Sequence, residues 1–267
     1  MIRLRLNSTY EELLRAHRLA DYQSLMNREI GALVEQNDER EIRRLTLDGL
    51  GFYLKRVTRE KASAALESYL GGRLAHSRPY REMQQSNSLR WNGFDVAEVA
   101  AVGEELRFGL PVGGFIMTRE VPGSDLLQLY RQADKRGRRH IVRHFAALVG
   151  KLHRRGFCGS IRLKDVISAD APGKQMKLTM IDREVRNPLP RRPNRKILLK
   201  KFLINIRRQL SQGESFSGRE LKILVRYYRR SLSKPLRLKR RQLQHEVKRL
   251  RKTVRNRRAD AGRHTTH

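Results

Sequence analysis

The chain reads as a strand-rich first part and a helix-rich second part, joined by a short connection near residues 120–123 that holds Pro122-Gly123. The sharpest helical signal is in residues 138–153, where Ile141, Phe145, Leu148, Val149 and Leu152 share one face and Gly156 follows as a stop. The sharpest strand signal is a hairpin over residues 42–57, with Asp48-Gly49 between Ile42, Leu45, Leu47 and Phe52-Tyr53-Leu54-Lys55-Arg56-Val57.

Residues 9–35 are expected to be helical, ending in a first strand near Ala32-Leu33-Val34. Helices are expected over 61–70 and 79–91, with Pro79 suited to a first turn, and strands over 96–102 and 115–119. A strand at Lys177-Leu178-Thr179-Met180-Ile181 ends at Asp182, and helices are expected over 195–210 and 217–232. The pattern predicts an α+β architecture with a smaller sheet part over 1–119, a larger helical part over 120–233 and a basic helical tail over 234–267.

Charge narrows the partners. The 267 residues include 59 Lys and Arg against 27 Asp and Glu, for a net charge of +32. Such a chain is drawn to polyanions: nucleic acid, an anionic membrane surface or a phosphorylated glycolipid. Nine basic residues and no acid lie in 186–208, and 14 basic residues with the single acid Glu246 lie in 229–258. Leu236, Leu243, Val247, Leu250 and Val254 thread an apolar stripe through the second run. It reads as a basic amphipathic helix, either resting on an anionic membrane surface or packed on the domain. Nucleic acid is the weakest of the three partners. Aromatic residues are 6% of the chain and absent from the distal tail, and no helix-turn-helix or zinc-finger pattern occurs.

The lone cysteine, Cys158, excludes an intrachain disulfide and a cysteine zinc site. The start, Met1-Ile2-Arg3-Leu4-Arg5, turns polar at once, and no run approaches 18 apolar residues. A cytoplasmic protein is expected, with at most peripheral attachment to the membrane.

Several short motifs then stand in a telling order. Lys55 lies on a strand in Phe52-Tyr53-Leu54-Lys55-Arg56, and Glu82 lies on the next expected helix in Tyr80-Arg81-Glu82-Met83, with Glu67 as the other candidate. Gly114-Phe115-Ile116-Met117-Thr118-Arg119-Glu120-Val121-Pro122-Gly123 leads out of the strand-rich part. Leu152-His153-Arg154-Arg155-Gly156-Phe157 precedes Cys158-Gly159-Ser160-Ile161-Arg162-Leu163-Lys164-Asp165, and Thr179-Met180-Ile181-Asp182-Arg183-Glu184 comes last. In this order they resemble the lipopolysaccharide core kinases, which phosphorylate Kdo or heptose and share the protein-kinase-like fold. The resemblance spans residues 52–232.

The resemblance implies a two-lobed fold and a set of roles. Lys55 would hold the phosphates of ATP, Glu82 would orient Lys55, and Glu120 would stand at the hinge that binds adenine. Asp165 and Asp182 would hold Mg2+, and Arg162 would neutralise charge on the transferred group. The acceptor would be a lipopolysaccharide core sugar or a related anionic glycolipid. His153 reads as structural. His140 and His144, at i and i+4, lack a further ligand nearby in sequence.

Two features depart from the kinase pattern. No glycine-rich phosphate loop precedes Lys55, since Gly49 and Gly51 belong to the hairpin. Ser160 stands where kinases carry the catalytic aspartate, and a neutral serine cannot take the acceptor proton as a carboxylate would. General base catalysis contributes about 10²–10⁴-fold, whereas phosphoryl transfer rests mostly on positioning and charge. Two expectations follow: a kinase, or a pseudokinase that serves as a binding module.

Overall fold

The computed structural model describes residues 1–60, 75–170, 175–182, 189–211 and 216–263. The helix expected over 61–70, and Glu67 with it, lie outside the described residues. The chain divides into two compact units, Met1–Val121 with Thr179–Leu189, and Pro122–Leu178 with Pro190–His267.

The first unit is built on one antiparallel sheet. The chain enters through β1 (Ile2–Leu6), then α1 (Ser8–Ala16) and α2 (Tyr22–Asn27). Strands β2 (Ala32–Asn37), β3 (Arg40–Leu47) and β4 (Leu50–Val57) follow, then α3 (Arg78–Trp91), β5 (Val99–Arg107) and β6 (Leu110–Arg119). The strand order is β1-β5-β6-β4-β3-β2. Asp48 and Gly49 turn the β3–β4 hairpin with φ of 46° and 76°, the left-handed pair that a two-residue turn demands.

The sheet's two faces bury different residues, as the strand period of two requires. Phe52, Leu54, Phe115 and Met117 point to the side of α1 and α2, where they pack with Tyr10, Leu14, Tyr22 and Leu25. Ile116 and Val102 point to the other side, against Tyr80 and Met83 of α3. Lys55 is the register partner of Ile116, so its side chain leaves the sheet on the α3 side.

The second unit begins with β7 (Ser124–Asp125), α4 (Leu126–Gln132) and α5 (Lys135–Arg154). A 3-10 turn at Leu163–Asp165 leads into β8 (Val166–Ser168), which pairs with β7. In the first unit, β9 (Thr179–Met180) runs beside residues 95–97 through Met180 N–H to Asp95 O (3.0 Å) and Ala97 N–H to Met180 O (2.9 Å). Back in the second unit come α6 (Arg195–Ser211), α7 (Gly218–Ser231), a 3-10 turn at Lys234–Leu236, and α8 (Arg240–Arg263). α5 packs most closely on α7, and α8 packs on α6 and α7 with Leu243 and Val247 buried.

Four expectations about local structure need correction. The segment 9–35 is not one helix: Arg18 takes φ of 56°, splitting it into α1 and α2, and an unexpected β1 precedes both. The strand expected over 96–102 is β5, which starts at Val99 and runs to Arg107 because it pairs along that length with β6 and, over Ala101–Glu105, with β1. The strand expected over 177–181 is only Thr179–Met180. In the tail, Leu236 belongs to a 3-10 turn, since Pro235 cannot continue a helix, and α8 starts at Arg240.

Candidate functional site

Three charged side chains from three elements meet in the first unit. Lys55 rises from β4 to the α3 side. Glu82 is buried on the inner face of α3, whose start is fixed by the Ser77 cap and Pro79 in the first turn. Asp182 follows β9 with φ of 49°, a left-handed conformation that aspartate tolerates better than most residues. The Lys55 Nζ donates to both Glu82 oxygens at 3.1 and 2.9 Å and to Asp182 Oδ1 at 2.5 Å.

The electrostatics of this cluster follow from its burial. The side chains of Lys55 and Glu82 are 12% and 6% exposed, and that of Asp182 is 34% exposed. Burial by itself would lower the Lys55 pKa. The negative charges of Glu82 and Asp182 outweigh it and hold the ammonium well above its ordinary value. Lys55 is therefore a fixed cation, clamped from the α3 side, with a more open carboxylate beside it. Such a group can hold phosphate oxygens through Lys55 and a divalent cation through Asp182.

Glu120 is placed differently. Its carboxylate accepts from Arg44 at 3.0 and 2.9 Å, and its N–H donates to Gly51 O at 2.9 Å. A Cβ on Gly51 would lie 2.0 Å from Glu120 Oε2, so the glycine makes room for this pair. The Glu120 side chain thus ties the end of β6 to β3 and β4.

A second cluster lies in the second unit, in the loop that follows α5. The backbone there is held by α6: Asn205 Oδ1 accepts from Ile161 N–H at 3.0 Å, and Gln209 Nε2 donates to Ile161 O at 3.1 Å. His153 supports the same floor, with its Nδ1 2.9 Å from the Tyr228 hydroxyl. Asp165 closes the 3-10 turn, accepting from Arg162 N–H at 2.8 Å and pairing with its guanidinium at 2.7 Å. The Asp165 side chain is 7% exposed. Arg208, on α6, donates to Ser160 Oγ.

The sequence-chosen residues therefore fall into separate groups: Lys55, Glu82 and Asp182 in one unit, Ser160, Arg162 and Asp165 in the other, and Glu120 apart with Arg44. Arg208, Asn205 and Gln209 escaped the sequence reading. The polar Asn205 and Gln209, four apart on a helix, were the one available hint. Burial pushes the Cys158 thiol pKa up, which lowers its thiolate fraction. Among the described residues, no group of three His, Cys, Asp or Glu side chains converges as a preformed metal site. The His140 and His144 rings lie 4.5 Å apart, tilted by 39°, and burial with neighbouring positive charge lowers His144 to about 4.

Comparison with curated proteins gives no match. Among solved structures, the chain is similar to WaaP in complex with acyl carrier protein, at 18% identity and a TM-score of 0.65, covering 96% of this chain and 97% of that one. It is also similar to the bifunctional kinase-methyltransferase WbdD, at 14% identity and a TM-score of 0.42, covering 80% of this chain and 43% of that one. The WaaP likeness shows a protein-kinase-like fold. Residues 16–228 match the model of the lipopolysaccharide kinase (Kdo/WaaP) family, and the chain belongs to that family.

Proposed function

We propose that this protein transfers the terminal phosphoryl group of ATP to a sugar hydroxyl, Kdo or heptose, of a lipopolysaccharide core or a related anionic glycolipid. The observation that carries the reading is the convergence of Lys55, Glu82 and Asp182. A buried lysine held by two carboxylates is costly to desolvate, and a purely structural core would be served as well by apolar side chains.

Bound as a magnesium complex, ATP would supply the phosphoryl group and a metal that spreads its charge. Lys55 would hold phosphate oxygens, and Glu82 would keep the Lys55 ammonium aimed. Asp182 would bind metal, exchanging its contact with Lys55 for the ion. Asp165 is the second proposed metal ligand. Its oxygens now accept from Arg162, so ligation requires Arg162 to turn away. Arg162 would then be available to neutralise the transferred group. In the transfer, the acceptor oxygen forms a bond to the terminal phosphorus while the bond to the bridging oxygen breaks. ADP leaves, and the acceptor proton passes to solvent, since Ser160 offers no carboxylate to receive it. The protein would work at the cytoplasmic face of the inner membrane, where such an acceptor is exposed.

One observation favours a second reading. The Ser160 hydroxyl accepts from Arg208, and on the family resemblance this serine would stand where kinases carry the catalytic aspartate. On that reading the protein is a pseudokinase that binds nucleotide or glycolipid without turnover. Incubation with γ-labelled ATP, Mg2+ and purified core glycolipid separates the two. Label in the glycolipid, lost in Asp182→Ala, supports the enzyme. Nucleotide binding with no label transferred from any Kdo- or heptose-bearing acceptor supports the binding module.

A further inference from the structure

The arginines of α7 and α8 are arranged rather than scattered. Arg219, Arg226 and Arg230 recur at i, i+7 and i+11, so they share one face of α7. All three are exposed, and the opposite face buries Leu221, Leu224, Val225 and Tyr228. On α8, Arg240 and Arg251 also stand at i and i+11, beside the buried Leu243 and Val247.

Two cavities open along the seam between these helices. One, of about 290 Å³, is lined by Arg226, Arg229, Arg230 and Arg240. The other, of about 540 Å³, is lined by Lys135, Arg138, Arg139, Arg219 and Arg251, with Phe216 among its walls. Arg240 lies at the end of α7 and Arg251 at its start, so α8 runs antiparallel to α7. At 1.5 Å per residue, Arg240 and Arg251 are roughly 16 Å apart along α8.

Among the described residues, the carboxylates near the seam do not neutralise it. Glu220 is buried, and it accepts from Ser217 N–H at 2.6 Å and from the Tyr130 hydroxyl at 3.1 Å. Asp134 caps α5 by accepting from Gly137 N–H at 2.7 Å. Glu246 is six positions from Arg240, on another side of α8. Among the described residues, Arg219, Arg226, Arg240 and Arg251 enter no ion pair.

We infer that this seam docks the protein on the phosphate headgroups of an anionic bilayer, through two basic cavities that open on one face. Exposed cations attract a single dissolved anion only weakly, because salt screens each pair. Against a charged surface, each basic side chain adds its own increment. A nucleic acid fits less well. Phe216 is buried, and Tyr227 lies against the guanidinium groups of Arg143 and Arg230 at 5.2 and 5.6 Å, so neither ring is open to stack on a base. The inference extends the membrane location proposed above and does not depend on phosphoryl transfer, because it is read without nucleotide.

The test is co-sedimentation of the full chain with vesicles of phosphatidylglycerol and phosphatidylcholine, against vesicles of phosphatidylcholine alone. The triple variant Arg219→Gln, Arg226→Gln, Arg230→Gln should lose affinity for the acidic vesicles on the order of 10²-fold. The triple variant Arg18→Gln, Arg90→Gln, Arg107→Gln removes the same charge from exposed sites of the first unit and should stay within about threefold of wild type. Lysine at the three α7 positions should retain binding, since headgroup attraction needs charge rather than a planar fork. Equal losses in the two glutamine variants, or equal binding to neutral vesicles, would overturn the inference. Release by millimolar inorganic phosphate at constant ionic strength would assign the cavities to a free phosphate ligand instead. Binding to duplex DNA tighter than to acidic vesicles, and lost in the α7 variant, would assign the seam to nucleic acid.

Discussion

The two units handle charge in opposite ways. The sheet unit pairs many of its cations: Arg3 with Glu104, Arg43 and Arg56 with Glu41, Arg44 with Glu120, Arg78 with Glu39 and Glu60, and Lys55 with Glu82 and Asp182. Among the described residues the helical unit pairs Arg162 with Asp165, ties Arg138 and Arg229 to backbone carbonyls, and leaves Arg219, Arg226, Arg240 and Arg251 exposed. Charge in the first unit is part of the fold, with partners fixed by strand register and helix caps. Much of the charge in the second is unspent, and it suits anions the protein does not itself contain.

Breaking the Lys55 cluster should give the largest effect. Lys55→Ala and Asp182→Ala are each expected to lower phosphoryl transfer by about 10²–10³-fold, the usual cost of removing one preorganised charge-stabilising group. Ser160→Ala should cost less than about tenfold, because a neutral hydroxyl supplies no base. Rates for the three variants on one glycolipid acceptor would settle the comparison, and a Ser160→Ala loss as large as the other two would show that the second unit supplies more of the chemistry than its geometry suggests.

Glu82→Gln tests how far the first unit depends on its pairing. It leaves Lys55 with Asp182 as its remaining charged partner, and denaturant unfolding should show a loss of about 2–3 kcal/mol. A loss below about 0.5 kcal/mol would mean that Lys55 is more hydrated than its burial implies.

The helical unit should show its own weakness at low pH. His144 has its pKa lowered to about 4 by burial first, then by His140, Arg143 and Lys151. The native state therefore resists a proton that the unfolded chain accepts at its ordinary value. Stability from this group is complete above that value, about 6.5, and is lost as pH falls from there toward 4, by up to about 3 kcal/mol. Unfolding free energies between pH 7 and 4.5 should fall less steeply in His144→Gln than in wild type. Parallel slopes would remove His144 from the account.

Exposed pairs set the lower limit. Arg15 and Glu11, at i and i+4 on α1, have side chains 67% and 38% exposed. Arg15→Ala should change stability by less than about 0.5 kcal/mol. A larger effect would mean that even exposed pairing supports the sheet unit.

Elements with strong local chemistry were legible in the sequence. Asp48-Gly49 announced the β3–β4 hairpin, the five apolar positions from Ile141 to Leu152 announced α5, and Pro79 announced the start of α3. Elements whose logic is tertiary were not. β1 alternates Leu4 and Leu6 with Arg3 and Arg5 over only five residues, and its pairing with β5 sets Arg3 beside Glu104. β5 contains the fully buried Glu104, whose partners Arg3, His76 and Ser77 are distant in sequence, so hydropathy misplaces the strand. At the site, Lys55, Glu82 and Asp182 could be chosen because each sits in a motif of known order. Arg208 could not, since its contact with Ser160 spans 48 positions and no local pattern marks it.

The most direct measurement is thermal unfolding with and without Mg2+ and ATP, for wild type and Asp182→Ala. With ligand at about a hundred times its dissociation constant, wild type should gain about 2.7 kcal/mol. That gain should require magnesium and vanish in the variant. No shift at millimolar nucleotide, or an equal shift in Asp182→Ala, would contradict the claim that Lys55, Glu82 and Asp182 form a nucleotide site.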